Sequence, residues 1–326
     1  MNVFAVIVTF NGATWIRGAL QSLREGSHAC TAIVVDNASS DDTCAIVRRE
    51  FPQAVLIESG ANLGFGRGNN LGIEYALRAG ADAVFLLNQD AYATPDALAR
   101  LVGFLNQAPD FDIVSPLHCS PDLTRVDPAT QNGYLQRHAP GYLSDACLGR
   151  IQAHYPIRGI NAAAWLLRAD VFRRVGGFDP LYFMYGEDDD LIERFAHHGV
   201  RTALLPAALI VHLRAKAPAP KPSGVRQWRA RSERPRSELL FELKRPGGSW
   251  PGGLLRLLAA GVLHPLADLL ANHDLRRFLA YLLASLRVLS VIGRIRRHSR
   301  LCESAGAHFL NLQAVSPDLA HRQPKP

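Results

Sequence analysis

Glu187, Asp188, Asp189 and Asp190 form the densest acidic run in the chain, directly after the bulky apolar trio Phe183, Met184 and Tyr185. Carboxylates are favoured in the first turn of a helix, where they meet the positive end of its dipole, and that accounts for one or two of the four. A carboxylate within hydrogen-bond reach of a hydroxyl also has a chemical use, because it can take the proton as the oxygen attacks. Upstream, four apolar runs each end in a polar cluster. These are VTFN, with Thr9 and Asn11; VVDNASSDD, with Asp36 and Asn37; NLGFGRGNNLG, with Asn62, Gly64, Phe65, Asn69 and Asn70; and LLNQDA, with Asn88 and Asp90. Any one of them reads equally well as turn chemistry. The glycines alone are a turn signal, and their order differs from the dinucleotide fingerprint. Four such clusters in series at successive strand ends call for a ligand. No Ser-His-Asp, Cys-His or phosphate-loop arrangement stands out.

The elements that must position these residues follow from periodicity. Val3–Thr9, 32–36, 54–58 and Ala83–Leu87 are short and almost wholly apolar, as strands buried on both faces require. Residues 13–25, 41–50 and 69–79 carry helix-period apolar positions between them. Strand and helix alternating through short connections predict a parallel sheet with ligands at the carboxyl ends of its strands. Residues 116–156 lose the rhythm. A second ordered block, 157–212, holds the apolar stretch 162–167, a helix near 169–175, a helix from the acidic run to about His198 and a strand near 201–205. RAKAPAPKPSG, 214–224, reads as an extended connector.

Taken together, VTFN, VVDNASSDD, NLGFGRGNNLG, LLNQDA, VGGFDPLYFMYGEDDDLIER and IVHL resemble the family 2 glycosyltransferases, closest to the bacterial rhamnosyltransferase-like branch. The similarity spans about residues 1–213. It implies an α/β fold of GT-A type, Rossmann-like, a mixed sheet with helices on both faces. To this the sequence adds a C-terminal amphipathic helical extension. By the resemblance Thr9, Asn11, Asp36 and Asn37 line the nucleotide pocket, and Asn62, Gly64, Phe65, Asn69, Asn70 and Asn88 lie near ribose, phosphates and donor sugar. Asp90 matches the metal carboxylate of the D-x-D position, with His212 a further ligand to Mg²⁺ or Mn²⁺; otherwise His212 is a structural strand residue. The E-D-x-D pattern maps onto Glu187, Asp188 and Asp190, with Asp188 as the base, Glu187 or Asp189 as alternatives, and a purely structural role as the bland reading. Trp165 is an acceptor-stacking candidate or simply core. Asn88 stands at the first D-x-D position, Gln89 replaces the usual proline and Tyr92 is unusual. These departures motivate a rival reading, a catalytically inactive nucleotide-sugar-binding accessory protein of the same fold.

The resemblance implies inverting transfer of rhamnose or a hexose from a dTDP- or UDP-sugar to a glycan or lipid-linked acceptor, in cell-surface polysaccharide synthesis. On this reading residues 1–115 are the nucleotide-sugar-binding half and 116–213 the acceptor and catalytic half. Residues 214–249 are a basic linker, 250–300 membrane-associated amphipathic helices, and 301–326 a flexible tail. Charge divides the same way. The net formal charge is +7, yet residues 1–212 sum to −6 and residues 213–300 to +13. At 100° per residue Arg276, Arg287 and Arg294 share one face, with Phe278, Leu282, Leu289 and Ile292 opposite. That pattern suits a helix lying on an anionic membrane surface, and no uncharged apolar run reaches spanning length. A helical hairpin packed on the protein is the alternative. The basic segment shows no nucleic-acid fold or stacking aromatics, which argues against nucleic acid as partner. Five scattered cysteines without a C-x-x-C pair exclude a zinc ribbon or disulfide framework and suit a reducing cytosol. The N-terminus reads as a strand rather than a signal peptide. The expected location is the inner face of the cytoplasmic membrane.

Overall fold

The computed structural model describes residues 1–159, 162–214 and 223–313. The first four apolar runs form β1 (Val3–Thr9), β2 (Thr31–Asp36), β3 (Val55–Glu58) and β4 (Ala83–Leu87). All pair in parallel, and Thr9 lies opposite Asp36 at one edge of the sheet. Helices α1 (Ile16–Arg24), α2 (Thr43–Glu50) and α3 (Phe65–Arg78) connect them. Because strand side chains alternate, Val3, Ala5 and Ile7 share a core with α1 and α2, while Phe4 and Val6 share another with α3. Gly72 and Gly68 rest on Val6 and Val8, so α3 lies closer to β1 than side chains there would permit.

The second half turns the sheet mixed. After β5 (Ala91–Ala93), α4 (Ala97–Gln107) and β6 (Ile113–Cys119), a wide helical turn at Thr130–Leu135 leads into α5 (Gln136–His138) and α6 (Pro140–Cys147). Residues 116–156 are thus more ordered than their sequence rhythm predicts. Then come β7 (Tyr155–Ile157), β8 (Ala164–Arg168), α7 (Ala169–Val175), α8 (Glu187–His197) and β9 (Thr202–His212). Strand β8 enters antiparallel beside β4, giving the order β3-β2-β1-β4-β8-β6-β9-β5, with β7 also on β9. The mixed sheet with helices on both faces agrees with the fold the resemblance implies.

The remainder departs from expectation. Part of the predicted linker, 215–222, lies outside the described residues. From 223 onward the segment folds as α9 (Gly224–Arg231) and α10 (Glu233–Lys244), which bury Leu239, Leu240 and Leu243. Helix α10 joins α11 (Trp250–Leu258), α13 (Leu275–Leu289) and α14 (Ile292–Glu303) in a third core that includes Leu181 and Tyr182 from the segment before α8, and α12 (His264–Asn272) packs against α13 outside it. The extension is therefore docked on the rest of the protein, as in the hairpin alternative. The tail is held as far as described: Gly177 N–H donates to the His308 carbonyl, and Asn311 N–H to Glu74 at 2.8 Å.

The basic stripe is corrected as well. Arg287 points inward, donating to Glu233 and to the Ser232 hydroxyl, both at 2.7 Å. Helix α14 bends 73° away from α13, which takes Arg294 off the shared face. What α13 exposes is Leu275, Leu279, Leu282, Leu286 and Leu289, beside Leu255, Leu258, Leu263, Leu266 and Leu270. Trp250–Asn272 is one continuous 23-residue helix, long and apolar enough to cross a membrane by length and composition. Arg256 and Asp268 interrupt its sequence, and both pair with neighbouring helices at the surface, with Glu242 at 3.2 Å and Arg277 at 2.9 Å.

Candidate active site

The strand-end clusters converge, in three groups. In the first, Asp36 is buried at the end of β2; its Oδ2 accepts the Ser39 N–H at 3.0 Å, while Oδ1 is buried without a protein partner. Asn11 takes a left-handed backbone (φ 48°) and its Oδ1 accepts the Ser40 N–H at 2.9 Å. The buried Thr9 hydroxyl donates to Gln89 Oε1 at 2.6 Å, so Gln89 ties the ends of β1 and β4 together.

The glycine loop is shaped by its asparagines. Asn37 Nδ2 donates to the Gly64 carbonyl at 3.0 Å, and Asn62 Oδ1 accepts the Gly64 N–H at 3.0 Å. Asn69 donates to the Phe65 carbonyl, and Asn70 exchanges two hydrogen bonds with the Phe178 backbone, each 2.8 Å. With their amides committed to backbone, Asn69 and Asn70 hold α3 in place and do not line the main cavity, whereas Phe65 does. Gly64 has φ 83°, and a Cβ there would overlap the Phe183 carbonyl oxygen. Gly64→Ala therefore adds left-handed strain to a backbone clash and is expected to cost about 2 kcal/mol or more. Thermal denaturation checks this: an unchanged midpoint would mean that the Phe183 contact is not a constraint.

The second group surrounds Asp90. Pairing of Ala91 with His212 brings β5 and β9 together, placing Asp90 Oδ1 3.6 Å from His212 Nε2. That is beyond hydrogen-bond length, and about half an ångström wider than two adjacent donors on an octahedral ion with bonds of about 2.1 Å. Asn88 Oδ1 and His212 Nδ1 are buried without partners, and both residues line the main cavity. A carboxylate, an amide oxygen and an imidazole fit Mg²⁺ or Mn²⁺ by their chemistry. His118 meets His212 edge-on with centroids 6.0 Å apart; burial first, then His212, pushes its imidazole down to about 3, so it adds no charge. Arg214 clamps Asp127 at 2.8 and 2.6 Å and also lines the cavity. Although burial opposes it, the Arg214 guanidinium holds Asp127 well below the usual carboxylate range.

The third group is the acidic turn. Tyr185 and Gly186 are both left-handed, at φ 71° and 77°, and this reversal starts α8 at Glu187. Glu187, Asp188 and Asp189 line a cavity of about 1100 Å³ together with Asn88 and His212. The helix dipole should lower their pKa values, but burial wins. Burial, then the charge of Asp188, pushes Glu187 up to about 8 and Asp189 to about 6. Burial also raises Asp188, against backbone hydrogen bonds that lower it. At neutral pH Glu187 is thus mostly protonated, beside an Asp188 more basic than an ordinary carboxylate.

Two candidates fall elsewhere. Asp190 is buried and engaged, accepting from Arg194 Nε at 3.0 Å and from Lys244 at 2.5 Å. The same ammonium reaches Asp179 at 2.5 Å, and Asp179 also pairs with His298 Nδ1 at 2.7 Å. Asp179, Asp190 and Cys302 have donor atoms within 4.8 Å of one another, but Lys244 already supplies their cation. Trp165 is 2% exposed on β8, behind α8 and against Ile192, and does not line the main cavity. Alternation along β8 puts it in the core, so it is unavailable for stacking on an acceptor. The sequence reading missed the bracing role of Gln89, and it missed Arg214, Tyr134 and the cavity wall on α10 and α13, which includes Arg234, Glu238, Arg277 and Tyr281. The available signal was polar residues at helical spacing within the leucine-rich segments.

The model of the family described as Glycosyl transferase family 2 matches residues 4–175, and one described as the N-terminal domain of galactosyltransferase matches 147–216. The N-acetylglucosaminyl-diphospho-decaprenol L-rhamnosyltransferase of Mycobacterium tuberculosis is 27% identical over 297 residues, 83% of this chain and 94% of its own length. Rhamnosyltransferase WbbL of Escherichia coli is 27% identical over 229 residues, 64% and 83% of the two chains. Among solved structures, S. aureus TarS 1–349 in complex with UDP-GlcNAc superposes with TM-score 0.55 at 15% identity, covering 93% of this chain and 88% of its own. The mannosyltransferase PcManGT from Pyrobaculum calidifontis, in complex with GDP-Man and Mn²⁺, gives 0.54 at 22% identity, covering 92% and 84%. These structures share the fold. With the family model matching more than half its length, this chain belongs to glycosyl transferase family 2 and is a glycosyltransferase.

Proposed function

We propose that the chain transfers rhamnose or a hexose from a dTDP- or UDP-sugar to a glycan or lipid-linked acceptor in cell-surface polysaccharide synthesis, inverting the anomeric carbon. One observation carries the reading: Asp188 and the metal-compatible residues Asn88 and His212 open into the same cavity. The unpartnered Asp36 Oδ1 suits a pyrimidine N–H, and Thr9, Asn11 and Asn37 shape the pocket around it. Asn88, Asp90 and His212 would hold the divalent ion, which when bound supplies charge neutralisation on the departing diphosphate. Asp188 accepts the proton of the acceptor hydroxyl as the new glycosidic bond forms and the bond to the diphosphate breaks. Protonated Glu187 keeps a further negative charge off that turn. With one base and a direct displacement, the product is inverted.

The named mycobacterial relative supports a prenyl diphosphate acceptor bearing N-acetylglucosamine. The bare leucine faces of α11–α13 support seating on the inner surface of the cytoplasmic membrane. Trp250–Asn272 lies along the surface on this reading, because Arg256 and Asp268 pair with groups at the cavity wall, which must stay in water.

The test is transfer by the purified full chain, using dTDP-rhamnose and UDP-hexoses with prenyl-diphospho-N-acetylglucosamine, with Mg²⁺, Mn²⁺ or EDTA. Metal-dependent transfer with an inverted product is expected. Nucleotide-sugar binding that EDTA leaves unchanged, without transfer or donor hydrolysis, would favour the accessory-protein reading.

A further inference from the structure

The geometry points to a carbohydrate-binding subsite on the C-terminal helices: the cavity wall of α10 and α13 holds a sugar of the acceptor. This deepens the proposed function and rests on it. The wall is a chain of polar groups carried by segments that elsewhere present leucine. Arg234 pairs with Glu238 at 3.4 Å, and Glu238 accepts the Tyr281 hydroxyl at 2.6 Å. Arg277 lies 6.0 Å from the Tyr281 ring centroid and pairs with Asp268 at 2.9 Å. All five line the same cavity as Glu187, Asp188 and Asp189.

Charge selects the ligand class. Each arginine of this wall is matched by a carboxylate, so two cations and two anions cancel. A diphosphate needs uncompensated cations or a metal, and would meet Glu238 and Asp268 at close range. A neutral polyol suits the wall instead, since its vicinal hydroxyls both donate and accept, and paired guanidinium and carboxylate groups offer both partners. The side chains already hold one another, so little rotamer freedom remains to be lost when a sugar binds. Carboxylates on one side and this wall on the other leave room for more than a single ring, as pockets of about 300–1,000 Å³ accommodate drug-sized ligands. A sugar whose hydroxyl faces Asp188 therefore extends toward α10 and α13. The exposed leucines lie on α13 and on residues 254–270, while those of α10 are buried, so a glycolipid acceptor would meet a polar wall beside an apolar outer face.

The test is saturation-transfer NMR on the full chain holding UDP or dTDP, with methyl glycosides of N-acetylglucosamine, glucose, galactose and rhamnose. At least one glycoside is expected to bind, with Tyr281→Phe and Arg277→Gln each weakening it fivefold or more. Arg300→Ala, exposed on α14 away from the cavity, should bind as wild type. Tyr281→Phe removes one oxygen only, so it keeps the test decisive if Arg277→Gln lowers the melting temperature. No glycoside binding, equal affinity in all variants, or Tyr281-dependent binding of pyrophosphate in place of a glycoside would each overturn the subsite. The transferase reading is judged by nucleotide-sugar turnover, which this measurement does not involve.

Discussion

Asp188→Asn is expected to lower the rate of sugar transfer by about 10²–10⁴-fold, the range typical of losing a positioned general base. Nucleotide affinity should persist, because Asp188 lies on α8 and the proposed nucleotide contacts come from the ends of β1 and β2. Glu187→Gln makes the informative contrast. With its carboxyl pushed up to about 8 by burial and by Asp188, Glu187 is mostly neutral at pH 7, and an amide imitates that state. We expect a loss of less than about tenfold, small beside a base deletion. The pH profile of kcat follows from the same residues. Transfer needs Asp188 ionised, and its raised pKa moves the acid limb above the ordinary carboxylate range. Stability moves the other way for Glu187. Its folded pKa exceeds the unfolded one, so stability is lost as pH rises from about 4.5 to about 8. Glu187→Gln should accordingly melt higher than wild type at pH 8. An Asp188→Asn enzyme retaining a tenth of wild-type kcat would remove Asp188 from the base role.

Lys244→Met should cause the largest loss of stability, about 3–5 kcal/mol, because it leaves Asp179 and Asp190 buried without the ammonium between them. At a few degrees per kcal/mol for a chain of this size, the melting midpoint falls by roughly 10 °C. Burial opposes ionisation of Asp179, but Lys244 and His298 hold its pKa well below the usual range. Its stabilising share is therefore present above the unfolded carboxylate pKa and is lost as pH falls below it. Lys244→Met combined with Asp179→Asn removes one charge of each sign and should recover part of the loss. If the double variant melts no higher than the single one, charge pairing is not what holds this junction. Because Asp190 sits two residues beyond Asp188, the single variant should also depress kcat.

Much of the fold was legible because β1, β2 and β4 are near-continuous apolar runs, and such runs mean burial on both faces. The insertion of antiparallel β8 between β4 and β6 was not, since pairing across distant segments leaves no local pattern. The approach of Asp90 to His212, and of Asn88 and His212 to one cavity, followed from strand ends, a topological rule. Asp190 was misread because its partner Lys244 lies 54 residues away, and neither composition nor spacing reveals a buried ion pair. Trp165 shows the same limit, as a strand residue's face depends on register against neighbours that the sequence does not name. Residues 223–249 were read as linker because the proline- and lysine-rich stretch before them dominates local composition, while Leu239, Leu240 and Leu243 supply too few apolar positions to stand out.

The lock at Lys244 and the docked segment around His308 and Phe309 make the C-terminal helices part of the folded unit that carries the site. A chain cut after residue 214 would lose the cation between Asp179 and Asp190, and also the Phe309 carbonyl that Asn70 holds at 3.1 Å. A minimal enzyme trimmed to the sheet and its helices would not be a smaller version of this one. Grafting these helices onto a related enzyme, to change which acceptor it accepts, would succeed only where the recipient offers aspartates at the positions of Asp179 and Asp190. The transplantable unit is the helices together with that pair.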